Sequence, residues 1–237
     1  MELLTLPAGW VDIWYANLNV DQAELDGLAK ILTRDERVRA SRFYFRRDRV
    51  HFVAARGILR QLLARYVDRD PRDMRIVYNP FGKPFLQQDS GTSEVRFNLS
   101  HSHGMALYGI ARNREIGVDL ERIDPTFTGQ ELAKRFFSRR ECSALRSLPS
   151  RQQAEGFFNC WTRKEAYVKA NGTGLQMRLD SFSISVTSHQ QPERWNNGYA
   201  NWSLHAPRVL PGYAAAVVVQ GTDCNFRTWK WNIASGA

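Results

Sequence analysis

Two stretches of the 237-residue sequence, 1–112 and 113–237, spell out the same order of elements, and few folds accommodate such a repeat. Each begins with a strand, VDIWYAN (11–17) in the first and EIGVDLE (115–121) in the second. Short helical segments follow, over about 21–45 in the first and at 130–137 and 139–148 in the second. Then comes a long helix, near 48–66 and again near 151–170. Three strands close each stretch: RIVYN, EVRFNLS and MALYGIA, then SFSISV, NWSLHA and YAAAVVVQ. Residue identity between the two is not obvious, so a pattern is repeated rather than a sequence. The expected fold is α+β, a pseudo-dimer of two similar α/β halves in one chain with a cleft where they meet.

With 43% hydrophobic residues the chain can bury a real core, in one large domain or two small ones. No apolar run approaches the roughly 18 residues of a membrane span. The start, MELLTLPAGWVDIWYANLNV, lacks the basic and apolar regions of a secretion signal, so a soluble cytoplasmic protein is expected. Three widely spaced cysteines, Cys142, Cys160 and Cys224, indicate neither a disulfide framework nor a zinc site. The net charge of +9 favours anionic partners: nucleic acid, an acidic protein or a phosphorylated small molecule. In TRDERVRASRFYFRRDR (33–49) basic and aromatic residues interleave. That stretch reads either as a nucleic-acid-binding face or as a solvated helix face with an aromatic core stripe.

The stretch GVDLERI (117–123) poses a charge problem. In a strand Val118 and Leu120 share one face while Asp119 and Glu121 share the other, so two acids stand close together. They need something positive between them: a lysine, an arginine or a metal ion. A second oddity lies in the long helix of the second half, which Ser150 with Gln153 opens by a capping-box pattern and NGTG (171–174) closes. Ala154, Phe157, Trp161 and Val168 form an apolar stripe with Glu165 inside it and Lys169 at its edge. The bland account is an ion pair between Glu165 and Lys169 at the core margin. If the helix packs over the sheet, however, Glu165 meets Asp119 and Glu121. Three oxygen donors then suit a hard cation such as Mg²⁺, completed by water and phosphate oxygens, with basic surroundings for the rest of a polyphosphate. Such a site serves phosphoryl chemistry.

GVDLERI, AKRFFSRREC and WTRKEAYVKANGTGL resemble the G(I/V)DxE and (W/F)xxKEAxxK signature of the 4'-phosphopantetheinyl transferases, in particular the surfactin-synthetase-activating type. GKP (82–84), FNLSHS (97–102) and RFYF (42–45) match in the first half, so the resemblance covers nearly the whole chain. It implies a two-half fold with the active site at the cleft between halves, 1–112 binding coenzyme A and 113–237 holding the metal and docking the carrier. The implied reaction transfers the 4'-phosphopantetheine arm of coenzyme A to a carrier serine and releases adenosine 3',5'-bisphosphate. By resemblance Asp119, Glu121 and Glu165 are Mg²⁺ ligands and Lys169 reaches the coenzyme A phosphates. Lys83, Ser100 and His101 also contact coenzyme A, with His101 near the 3'-phosphate, and Arg39 falls where a basic residue for that phosphate is usual. A neighbouring position, basic in some members, is Glu36 here, for which Arg37 or Arg46 would substitute.

Glu165, or a metal-held water that it orients, is the candidate base for the serine. The implied partner is an acidic acyl or peptidyl carrier protein, which gives the +9 charge a purpose. It would dock near DPTFTGQELAKRFFSRREC, which offers Phe127, Phe136 and Phe137 beside Lys134, Arg135, Arg139 and Arg140. A monomer with no nucleic-acid or membrane partner is expected. Two other readings stand beside this one. A nucleic-acid-binding module would leave the inward Glu165 and the paired acids unexplained, and intact acids at all three positions argue against a phosphotransferase-like or scaffolding relative that keeps only the fold.

Overall fold

Side chains at the helix ends account for where the first elements begin. Asp21 accepts from Glu24 N at 2.8 Å while Glu24 Oε2 accepts from Asp21 N at 3.1 Å, which opens α1 (Gln22–Lys30). Thr33 and Glu36 repeat the exchange at the start of α2 (Arg34–Ser41). Each such box stabilises its helix by about 1 kcal/mol. The computed structural model describes residues 3–88, 91–92, 94–172, 174, 177–187, 192–196 and 200–232. Among these, no helix is long and apolar enough to cross a membrane.

The remaining elements are β1 (Trp10–Asn17), α3 (Arg46–Val67), β2 (Arg75–Tyr78), β3 (Pro84–Gln88), β4 (Gly91–Thr92), β5 (Val95–Ser102), β6 (Met105–Arg112) and β7 (Ile116–Arg122). Then follow α4 (Gln130–Phe136), α5 (Arg139–Ser147), α6 (Ser150–Asn171), β8 (Glu193–Asn196), β9 (Asn201–His205), β10 (Tyr213–Gln220) and β11 (Asn225–Lys230). One sheet has the order β11-β1-β6-β5, a second β7-β10-β9-β8, and β2-β3-β4 make a small third sheet. The two large sheets pack through Val11, Ile13 and Leu107 of the first and Val118, Leu120 and Val217 of the second. Helix α3 covers the far face of the first sheet with Ile58, Leu59, Leu62 and Leu63 against Trp14, Tyr108 and Ile110. Helix α6 covers the far face of the second, where Ala166, Tyr167 and Ala170 meet Trp202, Leu204 and Val218. Each large apolar side chain buried in this way contributes roughly 1.5–3 kcal/mol.

The two α/β halves are those expected, with three departures. Strand β11 leaves the second half and runs parallel to β1, from Trp10 opposite Asn225 to Tyr15 opposite Lys230, so the division at 112/113 separates all strands but the last. It is held there by Arg227, whose Nε donates to the buried Asp12 at 2.6 Å, while Tyr66 donates to the same carboxylate at 2.7 Å. Residues SFSISV, expected as a strand, form no ladder. Side chains take the backbone groups that a neighbouring strand would have used. Lys164 donates to the carbonyls of Leu179 (2.6 Å) and Phe182 (2.8 Å), Arg163 to those of Ser185 and Thr187 (both 2.7 Å), and Glu141 accepts from Ile184 N at 2.7 Å. Finally, Ser150 does not cap α6. Pro149 occupies the cap position and Gln153 donates to Leu148 O at 3.1 Å, whereas Gly172, left-handed at φ 74°, closes the helix as the sequence indicates.

Helix α6 crosses β7 at Gly117 in backbone contact: a Cβ there would lie 2.1 Å from Ala166 O and 2.3 Å from Ala170 N. Gly117→Ala should therefore destabilise the protein by about 3 kcal/mol or more, since backbone cannot yield as a side chain can. Gly27→Ala, in α1 where an added Cβ meets nothing within 4 Å, should instead stabilise by about 0.5–1 kcal/mol. Urea denaturation of the two variants measures both signs, and a neutral Gly117→Ala would contradict the close approach.

Candidate active site

The positive group between the acids of β7 is a lysine. Asp119 is only 3% exposed, and its Oδ1 accepts from Lys169 Nζ at 2.5 Å and from Ser100 Oγ at 2.8 Å. Lys169 also donates to Ser100 Oγ at 3.2 Å, so strand β5, strand β7 and helix α6 meet at three side chains. Helix α6 does pack over this face of the sheet, so Asp119 is enclosed between α6 and β5. The alternative pair of Glu165 with Lys169 does not form as a hydrogen bond, because the ammonium has turned to Asp119.

Strands β5 and β7 are the neighbouring edges of the two large sheets, and alternate side chains of β5 join them. Asn98 Oδ1 accepts from Val118 N at 2.9 Å, Ser100 holds Asp119, and Ser102 Oγ donates to Glu121 Oε2 at 2.9 Å. Ser102 also accepts from Arg122 N at 3.3 Å. Ser102 was not among the residues singled out from sequence, although its place two residues after Ser100 puts it on the same face of the strand.

Glu165 stands beside these groups and forms no hydrogen bond among the described residues. Burial pushes its carboxyl above the ordinary value, and Asp119 and Glu121 add to the shift while Lys169 opposes it. Glu121 is raised too, mainly by burial and then by Asp119, with the Ser102 hydrogen bond opposing. Asp119 Oδ2 is buried without a partner. As placed, no three His, Cys, Asp or Glu side chains among the described residues converge closely enough to hold a metal ion. The donor chemistry nevertheless fits a hard cation: Asp119 and Glu121 act on Glu165 through their charges, one carboxylate oxygen of Asp119 is orphaned, and a lysine holds the charge that a cation would replace.

Arg39, Tyr78, Ser100, His101 and Lys169 line a cavity of about 370 Å³, and Lys83, Glu165 and Lys169 line a neighbouring one of about 260 Å³. Residues of both halves thus share the cleft. A larger cavity of about 660 Å³, between residues 206–215 and the first turns of α6, holds none of the candidate residues. The imidazole of His101, which also borders a cavity with His51 and Arg47, is held below its ordinary value by the cleft walls and by the charges of His51 and Lys169. Lys83 is set apart from the carboxylates. Its ammonium donates to Glu115 at 2.6 Å and to Ala170 O at 2.9 Å, tying the GKP turn to the carbonyl end of α6. Glu36 is buried, accepting from Arg60 Nε at 2.7 Å. In the expected docking segment Phe137 is core, Phe127 and Phe136 are half-buried against Phe157 and Trp161, and Lys134, Arg135, Arg139 and Arg140 are exposed.

Family models match both halves. Residues 115–218 match the 4'-phosphopantetheinyl transferase superfamily and residues 18–111 match the 4'-phosphopantetheinyl transferase N-terminal model. The 4'-phosphopantetheinyl transferase HetI of Nostoc sp. is 40% identical over 228 residues, covering 96% of this chain and 95% of that one. The 4'-phosphopantetheinyl transferase Sfp of Bacillus subtilis is 28% identical over 210 residues, 88% of this chain and 91% of that one. A human relative, L-aminoadipate-semialdehyde dehydrogenase-phosphopantetheinyl transferase, is 27% identical over 161 residues, 65% of this chain and 52% of that one. With a likeness that covers 96% of its length and a lysine of α6 seated on an acid of β7, the chain belongs to the 4'-phosphopantetheinyl transferase superfamily and is an enzyme of that type.

Proposed function

We propose that the enzyme transfers the 4'-phosphopantetheine arm of coenzyme A to a serine hydroxyl of an acidic apo acyl or peptidyl carrier protein and releases adenosine 3',5'-bisphosphate. The reading is carried by the cluster in which Lys169 Nζ lies 2.5 Å from Asp119 with Glu121 and Glu165 beside it. Asp119, Glu121 and Glu165 would hold Mg²⁺, which when bound neutralises pyrophosphate charge and favours departure of the bisphosphate. Ser100 and Ser102 fix the acids of β7 from the facing strand, so their geometry is set before any ligand arrives. Lys169 passes from Asp119 to a phosphate oxygen, a move within reach of a flexible ammonium. Glu165, whose carboxyl burial holds above the ordinary range, takes the serine proton directly or through a water. The bond to the β-phosphorus breaks on the side of the bisphosphate as the serine oxygen adds in line.

Thermal unfolding with and without Mg²⁺ tests the metal ligands apart from turnover. At about a hundred times its Kd the ion should stabilise by roughly 2.7 kcal/mol, or on the order of 5–10 °C in Tm. Burial and then the charge of Asp119 raise Glu121 and Glu165. The stability tied to their protonated forms is therefore present at low pH and lost as pH rises through the raised values. The gain from Mg²⁺, which needs the carboxylates, should grow over the same interval. Asp119→Asn should abolish both the gain and transfer. A gain that persists in this variant overturns the metal assignment.

His101 and Lys169 should fail in opposite ways. His101→Ala should chiefly raise KM for coenzyme A and erase most of the preference for coenzyme A over dephospho-coenzyme A, because the 3'-phosphate is remote from the reacting phosphorus. Lys169→Ala should chiefly lower kcat, since charge on the leaving phosphate is stabilised mainly in the transition state. Undiminished donor discrimination in His101→Ala would leave the histidine a turn residue.

Exposed Lys134, Arg135, Arg139 and Arg140 predict that KM for the carrier rises with salt as the attraction is screened. Steady-state assays between low and high salt measure this, and a carrier KM that does not move removes the charge-docking account.

A further inference from the structure

Two buried arginines of α3 share one carboxylate beside the cleft. Arg56 is 6% exposed and Arg60 1%. Arg60 takes both oxygens of Glu36, at 2.7 and 3.1 Å, and Arg56 reaches the same carboxylate only through Nε, at 3.3 Å. The three side chains therefore carry one positive charge more than they neutralise, in surroundings where an uncompensated charge is costly. Arg56 Nη1 is buried without a hydrogen-bond partner. Its Nη2 donates to the hydroxyl of Tyr78, which also accepts from Arg39 Nη1 at 3.4 Å. Two guanidinium groups thus converge on a single neutral oxygen. The match is poor, because planar forks are satisfied by an oxyanion that offers several oxygens at once.

Arg39, Arg56, Tyr78 and His101 line the same cavity. His101 is held toward its neutral form and so brings a hydrogen bond but little charge, which leaves the arginines to neutralise an anion there. Glu36 does not oppose that anion, being already held by Arg60 and Arg56. Arg37 donates to Leu32 O and Arg46 to Gln22, and neither lines the cavity. Resting on the coenzyme A reading given above, we propose that Arg56 is a donor-binding residue that, with Arg39, takes the 3'-phosphate of coenzyme A, the Tyr78 hydroxyl giving way to a phosphate oxygen. The group recognised is a phosphate monoester, which carries close to two negative charges at neutral pH. Arg56 thereby joins Arg39 and His101 in setting the preference for coenzyme A over dephospho-coenzyme A.

Calorimetric titration of coenzyme A and dephospho-coenzyme A into wild type, Arg56→Gln and Arg46→Gln tests this. Wild type should bind coenzyme A more tightly. Arg56→Gln should weaken coenzyme A binding by about 10- to 100-fold, the worth of a charge-assisted hydrogen bond, and leave dephospho-coenzyme A binding unchanged. Arg46→Gln should keep the wild-type ratio. A folded Arg56→Gln protein that keeps the ratio, or that loses both donors equally, overturns the inference. Should that variant not fold, Arg56→Lys keeps the charge beside Glu36 but replaces the fork with one ammonium. Its ratio should fall below that of wild type, and an unchanged ratio again overturns the assignment. A wild-type protein that binds neither donor instead overturns the coenzyme A reading itself.

Discussion

Helix α6 rests on β7 with no side chain between Gly117 and the backbone of Ala166 and Ala170. That contact sets the rest. At ordinary helix-on-sheet spacing the side chains of α6 would stand several ångströms above the acids of β7. Brought down at Gly117, the helix places Glu165, just before Ala166, and Lys169, just before Ala170, over Asp119. The same closeness excludes water from the carboxylates, which is why burial is the largest cause of the upward shifts at Glu121 and Glu165. The site is thus made costly by the packing that assembles it, and Lys169 supplies a compensating charge within hydrogen-bonding distance of Asp119. A cation bound there would replace a lysine rather than fill a neutral hole.

A second constraint acts from the other half. Edge strands usually meet through backbone ladders, but β5 and β7 belong to different sheets and meet through Asn98, Ser100 and Ser102, every second side chain of β5. Such a seam does two things that a ladder cannot. It satisfies N–H groups of β7 at Val118 and Arg122 that lie on its edge, and it presents hydroxyls to Asp119 and Glu121 at the spacing of the strand itself. The first half therefore orients the acids of the second directly, without an intervening loop. Lys83 adds a strut of the same kind from the GKP turn to the end of α6.

What was legible in the sequence is what has a period. Strand alternation put Asp119 and Glu121 on one face, helical phase put Glu165 in an apolar stripe, and the repeated order of elements gave the two halves. What was not legible depends on distances across the fold. No local pattern says that Lys169 turns to Asp119 rather than Glu165, since that follows from the approach at Gly117. SFSISV alternates as a strand should, yet Arg163, Lys164 and Glu141 hold its backbone in place of a neighbour. Those two cations of α6 are buried, with their charges on the carbonyls that a neighbouring strand would have used. The crossing of β11 is equally silent in NFRTWK, being decided by Arg227 meeting Asp12 some 215 residues away.

Glu36 shows how a residue that looks like a loss can be a relocation. Read along α2, an acid where some relatives carry a base removes a phosphate contact and adds repulsion. Read in the fold, Glu36 has three tasks: its side chain caps α2 through Thr33, it holds Arg60, 24 residues on, and it anchors Arg56. The net charge of that corner stays positive, but its source moves from the exposed helix α2 to the buried helix α3. A buried guanidinium held by a carboxylate loses less side-chain entropy on binding than an exposed lysine does, and it sits in a lower dielectric, so each contact to an anion counts for more. Arg56 Nη1 has no hydrogen-bond partner among the described residues, and a bound anion would supply one. On the proposed reading, the acid at position 36 would preorganise the corner for an anion rather than oppose one.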